Sequence, residues 1–256
     1  NILFQISKEI ILPKYQKLDL EDIKSKNNGD LVTSVDIHVE DRLKNELLKL
    51  LPNSLFVGEE TFFYNPKIIE NYHEKNFCWT VDPIDGTTNF VKGKEKFAIM
   101  IALTFKEKII QSWIYKPLTE EFSYAKLGEG AFIDGLKVIN IKEFNVSNSI
   151  GSISSKYWDE TYGKKIMNIK KKFSNTDSYR CIGFEYVDIA KGIRNFTIMS
   201  KLSPWDHLPG ILLVKESGGF VKHFDESSYN FTIESKNLVV TNSINLLNEI
   251  LNLIRE

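Results

Sequence analysis

Apolar residues recur in fourfold steps at Val35, Val39, Leu43, Leu47 and Leu51, which predicts one amphipathic helix over this stretch. Ile2, Ile6 and Ile10 keep the same step and predict a helix where the chain opens. It opens at Asn1 without a methionine, so we expect residues to precede it. The pattern then shortens. Leu55-Phe56-Val57 reads as a strand running into Gly58-Glu59-Glu60, and Phe77 to Val81 as a second strand with Asp82 at its C-terminal end. Phe97 to Phe105, Ile109 to Tyr115 and Glu121 to Leu127 follow with short connections and predict an antiparallel meander, with turns at Gly128, Gly130 and Gly135.

Beyond residue 145 the alternation changes. A strand at Ile150 to Ser154 leads to a polar helix around Tyr157 to Phe173 and a second helix from about Gly183 to Lys191. A strand at Ile193 to Met199 and a helix from about Trp205 to Ser217 come next, with Pro209 in its first turn. Strands at Gly219 to His223 and Leu238 to Thr241 and a helix at Ile244 to Ile254 close the chain. Alternation of this kind predicts α/β layers. No repeat or low-complexity linker divides the chain, so the expected boundary is soft: an N-terminal half over 1–145 and a C-terminal half over 146–256 that share an interface.

Composition narrows the function. With 256 residues, 42% of them hydrophobic, the chain can bury a substantial core. Lys+Arg number 33 against 34 Asp+Glu, so no global field recruits nucleic acid or an anionic membrane, and any anion site must be local. The basic run Lys164 to Lys172 reads as a solvated helix face. The two cysteines, Cys78 and Cys181, have no ligand spacing and read as buried free thiols, which points to a reducing, cytoplasmic setting. The longest apolar run, Phe97 to Phe105, is too short to cross a bilayer. His38, His73, His207 and His223 are scattered and read as surface or partly buried polar residues.

The densest chemistry is in Trp79 to Phe90, WTVDPIDGTTNF. Asp82 or Asp85 alone would be read as a helix cap or half of an Asp-Gly turn. Together they set two like charges at a strand end, an arrangement that asks for a cation. Mg2+ suits such a site, because it prefers carboxylate and carbonyl oxygens, and the Ile84 carbonyl lies between the two acids. Gly86-Thr87-Thr88 then offers backbone N–H groups at a helix start, where a phosphate is readily held. The spacing is D-x-x-D, not the D-x-D of haloacid-dehalogenase phosphatases, and neither GxSxG nor GxxxxGK[ST] occurs.

DPIDGTTNF resembles the signature of the inositol monophosphatase family of Mg2+-dependent, lithium-sensitive phosphatases. WDHLPGILLVKESGG, from Trp205 to Gly219, resembles the second signature of that family, and GDLVTSVD (Gly29 to Asp36) and VGEE (Val57 to Glu60) fall in the family's order. The resemblance spans nearly the whole chain. It implies a layered αβαβα sandwich like that of inositol monophosphatase and fructose-1,6-bisphosphatase, a homodimer, and two to three Mg2+ ions. Glu59, Asp82 and the Ile84 carbonyl are then implied ligands of one ion, and Asp82, Asp85 and Asp206 of another. Thr87 and Asp36 are implied to orient the attacking water, with Lys26 near the metal site; Gly86, Thr87, Thr88, Glu185 and Asp206 are implied to meet the substrate, with Arg180 in the pocket. Each has a plainer reading: Asp36 as the end of a Thr33-x-x-Asp36 capping box, Asp206 as a helix cap, Glu59 as part of an acidic loop, with Glu60 exposed.

Two departures stand out. Met199 lies seven residues before Asp206, where inositol phosphatases carry a hydroxyl-binding glutamate, and Arg180-Cys181-Ile182-Gly183 replaces a Gly-Ser-Ala-Ala stretch, with Glu185 in place of an aspartate. The metal machinery is kept while the alcohol pocket differs. The expected function is metal-dependent hydrolysis of a small phosphorylated alcohol, whether inositol phosphate, sugar phosphate or histidinol phosphate. The alternatives are a nucleotide 3'-phosphate or fructose bisphosphate, with Arg180 or Arg194 on the second anion, and a non-catalytic partner of the transcription apparatus.

Overall fold

A computed structural model describes residues 2–26, 30–140, 142–229 and 236–256; Asn1 and Gly29 lie outside the described residues. The helix expected from the fourfold pattern runs over Ser34–Leu50. Thr33 starts it, accepting from the amides of Val35 and Asp36 while Asp36 closes the box on the Thr33 amide. Its Val35, Val39, Leu43 and Leu47 face is buried.

A seven-stranded sheet follows in nearly sequential order: Leu55–Gly58, Phe77–Asp85, Ala98–Phe105, Lys108–Lys116, Glu121–Lys126, Gly130–Ile133 and Leu136–Val138. Only the first pair is parallel. The last two strands were not predicted, because the glycines that punctuate them read as turns; Gly130 starts a strand with its φ at 103°. A second sheet has the order Asn175–Thr176, Ile150–Ile153, Phe196–Lys201, Lys236–Thr241 and Phe220–His223, parallel on one side and antiparallel on the other. The third of its strands in sequence starts at Phe196, later than expected, because the amides of Ile193 and Arg194 still bond back to the Asp188 carbonyl at the end of the preceding helix.

Three apolar clusters define the layers. Leu3, Ile6, Val39 and Leu43 pack on Phe56, Trp79, Ile99 and Ile101, one face of the large sheet. Its other face, with Ala98, Met100 and Ile114, packs on the helices Ile182–Ala190 and Pro204–Glu216, which in turn meet Leu238 and Val240 of the small sheet. Ile166, Ile169, Leu247 and Ile250, from Glu160–Lys170 and Ile244–Arg255, cover the outer face of the small sheet. The order is α, β, α, β, α. Pro204–Glu216 is apolar around most of its circumference, as a helix between two sheets must be. It begins at Pro204, so Pro209 lies in its interior and not in the first turn as expected. Gly210 lets it cross Ile182–Ala190 closely, since a Cβ there would stand 1.9 Å from the Tyr186 ring.

Candidate active site

The strand Phe77–Asp85 carries both acids of the opening motif. Residues three apart on a regular strand point to opposite faces. Here the register against Ala98–Phe105 shifts between Asp82 and Asp85, at Pro83 and Ile84, and the irregularity buries both carboxylates. The Ile84 amide donates to Asp82 Oδ1 at 3.0 Å. Gly86 then turns the chain with φ at 86°, and a Cβ there would meet the Lys96 carbonyl at 2.9 Å.

Asp82 is joined by two acids from distant segments. Glu59 opens the short helix Glu59–Tyr64 and Asp206 sits in the first turn of Pro204–Glu216; carboxylate oxygens of Glu59, Asp82 and Asp206 lie within 4.8 Å of one another. Burial and the charges of Glu59 and Asp85 push Asp82 and Asp206 well above the ordinary carboxylate range, with Asp206 also raising Asp82. Neither forms an ion pair among the described residues. Lys26, which is buried, bonds the neighbouring Glu59 at 2.7 Å and Glu60 at 2.8 Å. Burial opposes its charge, yet those two glutamates hold its ammonium above the usual lysine range. A group of converging, uncompensated carboxylates fits a hard divalent cation, so the residues present suit the metal that the sequence implies.

Asp36 closes the capping box and also faces Thr87. Its Oδ2 accepts from the Thr33 amide at 2.8 Å and the Thr33 hydroxyl at 2.5 Å, closing the capping box. Its Oδ1 is 3.1 Å from the Thr87 hydroxyl, which also lies 3.0 Å from the Ile84 carbonyl. Burial pushes the Asp36 carboxyl up to about 6.

Asp85 makes contacts that the sequence did not suggest. Its carboxylate accepts from the amides of Ile182 at 3.2 Å and Gly183 at 2.6 Å and from the Cys181 thiol at 3.0 Å, so it caps the helix Ile182–Ala190 of the other sheet's segment, not the helix that follows it in sequence. Glu185 is likewise committed: one oxygen accepts from the Tyr179 amide at 2.7 Å and the other from Arg194 at 2.8 Å. Arg194 also pairs with Asp177 at 2.9 Å and lies 3.7 Å from the Tyr179 ring centroid, so it is not free to hold a substrate anion.

Two expectations are corrected. Glu60 is buried and not exposed: Lys26 pairs with it, and its own amide donates to Glu40 Oε2 at 2.8 Å. His207 is fully buried, and His223 nearly so. The Tyr186 hydroxyl is 2.8 Å from His207 Nδ1 and the Lys201 carbonyl 3.1 Å from its Nε2, and burial lowers its pKa to about 4, so it is a neutral structural link.

Glu40 was missed altogether. It lies one turn after Asp36, is buried, and accepts from the amides of Glu60 and Thr61 and from the Thr61 hydroxyl. It thereby fixes the helix that begins with Glu59, and it fills the space where a Cβ on Gly58 would fall, 2.3 Å from the Glu40 Cδ. Its i+4 spacing from Asp36 on a predicted helix was the one available signal.

Asp85 and Asp206 open onto a pocket of about 290 Å3. Asp85 and Asp206 line it, together with Arg180, Met199, Lys156 and Lys201.

Comparison with known proteins is consistent across sequence and structure. The Inositol monophosphatase family profile matches residues 2–256. A Thermotoga maritima protein named fructose-1,6-bisphosphatase/inositol-1-monophosphatase is 30% identical over 218 residues, which is 84% of this chain and 79% of that protein. Nus factor SuhB of Escherichia coli K12 is 28% identical over 219 residues, 84% of this chain and 80% of that one. Inositol monophosphatase II from Staphylococcus aureus MSSA476 superposes with a TM-score of 0.83 at 26% identity, covering 98% of this chain and 89% of its own. Structures of SaIMPase-II have been solved bound to inositol monophosphate and to 2'AMP.

Proposed function

The chain belongs to the inositol monophosphatase family, a family of phosphoric monoester hydrolases, and from that premise we propose that it hydrolyses the monophosphate ester of a small alcohol with Mg2+ as cofactor. The observation that carries this reading is the convergence of Glu59, Asp82 and Asp206 beside the Asp36 and Thr87 pair.

In the proposed arrangement Glu59, Asp82 and the Ile84 carbonyl hold one ion, and Asp82, Asp85 and Asp206 a second, with room in the count for a third. When bound, the ions supply Lewis-acid neutralisation of phosphoryl and leaving-group oxygens and ease the deprotonation of water. The protein's own part begins with Thr87. Its hydroxyl donates to Asp36 Oδ1, which leaves its lone pairs to accept a proton from a water placed in line with phosphorus. Asp36, with its carboxyl lifted toward neutrality, is the acceptor behind Thr87. The Gly86, Thr87 and Thr88 segment turns against the phosphate with its backbone, and Asp206 meets the alcohol. Lys26 restrains Glu59. No covalent enzyme intermediate enters the scheme.

Met199 lines the pocket with a thioether that approaches the Thr197 hydroxyl at 3.2 Å, so this wall offers no carboxylate to a polyol. Glu185, held by Arg194, is part of the pocket lining. We further propose a homodimer working in a reducing, cytoplasmic setting, in keeping with two buried free cysteines; among the described residues no helix is long and apolar enough to cross a membrane.

The test is phosphate release from a panel of inositol, sugar, histidinol and nucleotide phosphates with and without Mg2+. Release that depends on Mg2+ from at least one ester is expected. A folded protein that releases phosphate from none of them overturns the proposal.

A further inference from the structure

Of the three clustered acids, Glu59 stands on the shortest element. Its helix, Glu59–Tyr64, has six residues, too few to hold a direction without tertiary contacts. Gly58 is the residue before it and has no side chain with which to serve the first amides. Glu40 serves them from another helix. Its Oε2 accepts from the Glu60 amide at 2.8 Å, and its Oε1 from the Thr61 amide at 2.7 Å and from the Thr61 hydroxyl. Two oxygens on two consecutive amides fix both the position and the tilt of the first turn. That turn carries the Cα–Cβ bond of Glu59, so Glu40 sets the point from which the Glu59 carboxylate reaches Asp82 and Asp206.

Two further observations tie Glu40 to this task. Glu40 is buried, and among the described residues it forms no ion pair and takes its side-chain hydrogen bonds from that one turn. Gly58 leaves room for it: a Cβ there would stand 2.3 Å from Glu40 Cδ and 2.4 and 2.5 Å from its oxygens. The backbone of Gly58, with φ at −112°, suits any residue, so the carboxylate and not the turn requires the glycine. Asp36 lies one turn earlier on the same helix and faces Thr87, and one rigid element therefore registers Glu59 against the Asp36 and Thr87 pair.

Resting on the phosphatase reading, in which Glu59 is a ligand, we propose that Glu40 is a positioning residue for the metal: it sets Mg2+ affinity by fixing the turn that carries Glu59, while touching neither the ion nor the substrate. Gly58 and Thr61 are the other parts of the same device.

Calorimetric titration of the metal-free protein with Mg2+, below its melting temperature, tests this, because a loss of stability alone does not move the Kd of folded protein. Glu40→Gln is nearly isosteric but offers one acceptor oxygen where the turn presents three donors. Its Kd for Mg2+ should rise about tenfold, and the Mg2+ concentration for half-maximal phosphate release should rise with it. Thr61→Val keeps the charge at position 40 and removes one donor; it should raise the Kd by a smaller factor. Glu40→Ala/Gly58→Ala refills the vacated space with a methyl group and should still bind Mg2+ at least as weakly as Glu40→Gln. A wild-type Kd in Glu40→Gln or in the refilled double variant overturns the proposal. So does a wild-type Kd in Thr61→Val, which would assign the effect of Glu40 to its charge; that arm decides alone if Glu40→Gln does not fold. A wild type that binds Mg2+ yet releases phosphate from no ester ends the phosphatase reading and leaves Glu40 to be decided by the Kd values, whereas a wild type that binds no Mg2+ ends both.

Discussion

Two groups of acids, buried or half-buried, sit close to one pocket and are built in opposite ways. Glu185 has a partner for each oxygen, and Arg194, which supplies one of them, gives Asp177 its other terminal nitrogen contacts and Tyr179 its face, leaving only its Nε without a hydrogen-bond partner. Asp82 and Asp206 stand together with Glu59 and form no ion pair among the described residues; Lys26 is shared between Glu59 and Glu60, and Lys201 acts on Asp206 only through its charge. Both groups are raised by burial, Glu185 to about 7 and Asp82 and Asp206 well above the usual range. The difference lies in satisfaction. A closed network holds a loop in place, whereas an open one is a demand for a ligand, and the same residue types serve either end.

The comparison breaks most visibly at Asp82. Asp82→Asn keeps an oxygen to accept from the Ile84 amide but removes a charge from the open group. Phosphate release should fall on the order of a thousandfold, as for loss of a central electrostatic group. The metal-free protein should melt at the same temperature or higher, since repulsion with Glu59 and Asp206 is relieved. A lower melting temperature combined with retained activity would mean that the open group is structural after all. In the closed group the signs reverse. Arg194→Leu strands Glu185 in the interior and should cost about 3 to 5 kcal/mol in denaturant unfolding, with Arg194→Leu/Glu185→Leu recovering most of it. If the single variant is nearly neutral, the network does not bear on stability.

Acidity gives the smallest effect and reads both groups at once. Asp36, Glu185 and Glu60 are raised to about 6, 7 and 8, and Asp82, Asp85 and Asp206 are raised too. A carboxyl whose folded value is raised contributes stability that is fully present below its unfolded value and is lost as pH climbs through the folded one. His207, lowered to about 4, works the other way, losing its contribution as pH falls below 6.5. With Glu40, which burial also raises, seven carboxyls against one imidazole make the metal-free protein less stable at pH 8 than at pH 5. Mg2+ binds the ionised acids, so the gain in stability on adding it should grow over the same window. Denaturant midpoints at the two pH values, with chelator and with Mg2+, check both statements; a metal-free midpoint that rises with pH contradicts them.

The α/β alternation and the D-x-x-D motif were legible because both are local: fourfold apolar steps and short apolar runs, and two acids flanking a proline at a strand end; the αβαβα order came from the family resemblance. What was not legible depends on partners far away in sequence. Spacing alone puts Asp82 and Asp85 on opposite faces, and only the irregularity at Pro83 and Ile84 brings both inside. Asp85 meets Ile182 and Gly183 across nearly a hundred residues. Glu60 reads as a surface acid until Lys26 is found beside it. His207 is hidden because a neutral imidazole can be buried wherever two partners meet its ring nitrogens, and here they are Tyr186 and the Lys201 carbonyl. Strands of three or four residues, such as Leu136–Val138, carry too few positions to show alternation.

The central helices carry a consequence for the order in which the protein is made. Residues through Val138 complete the large sheet, and the segments that cover one of its faces, Ile2–Lys14 and Ser34–Leu50, are already synthesised by then. The other face, with Ala98, Met100, Ala102, Ile114 and Ala125, waits for Ile182–Ala190 and Pro204–Glu216. Between Val138 and Glu216 the ribosome adds 216 − 138 = 78 residues, which takes roughly 4 to 16 s at about 5 to 20 residues per second. For that interval a nascent chain presents an uncovered apolar sheet face, the surface that chaperones bind and that neighbouring nascent chains on the same message can reach.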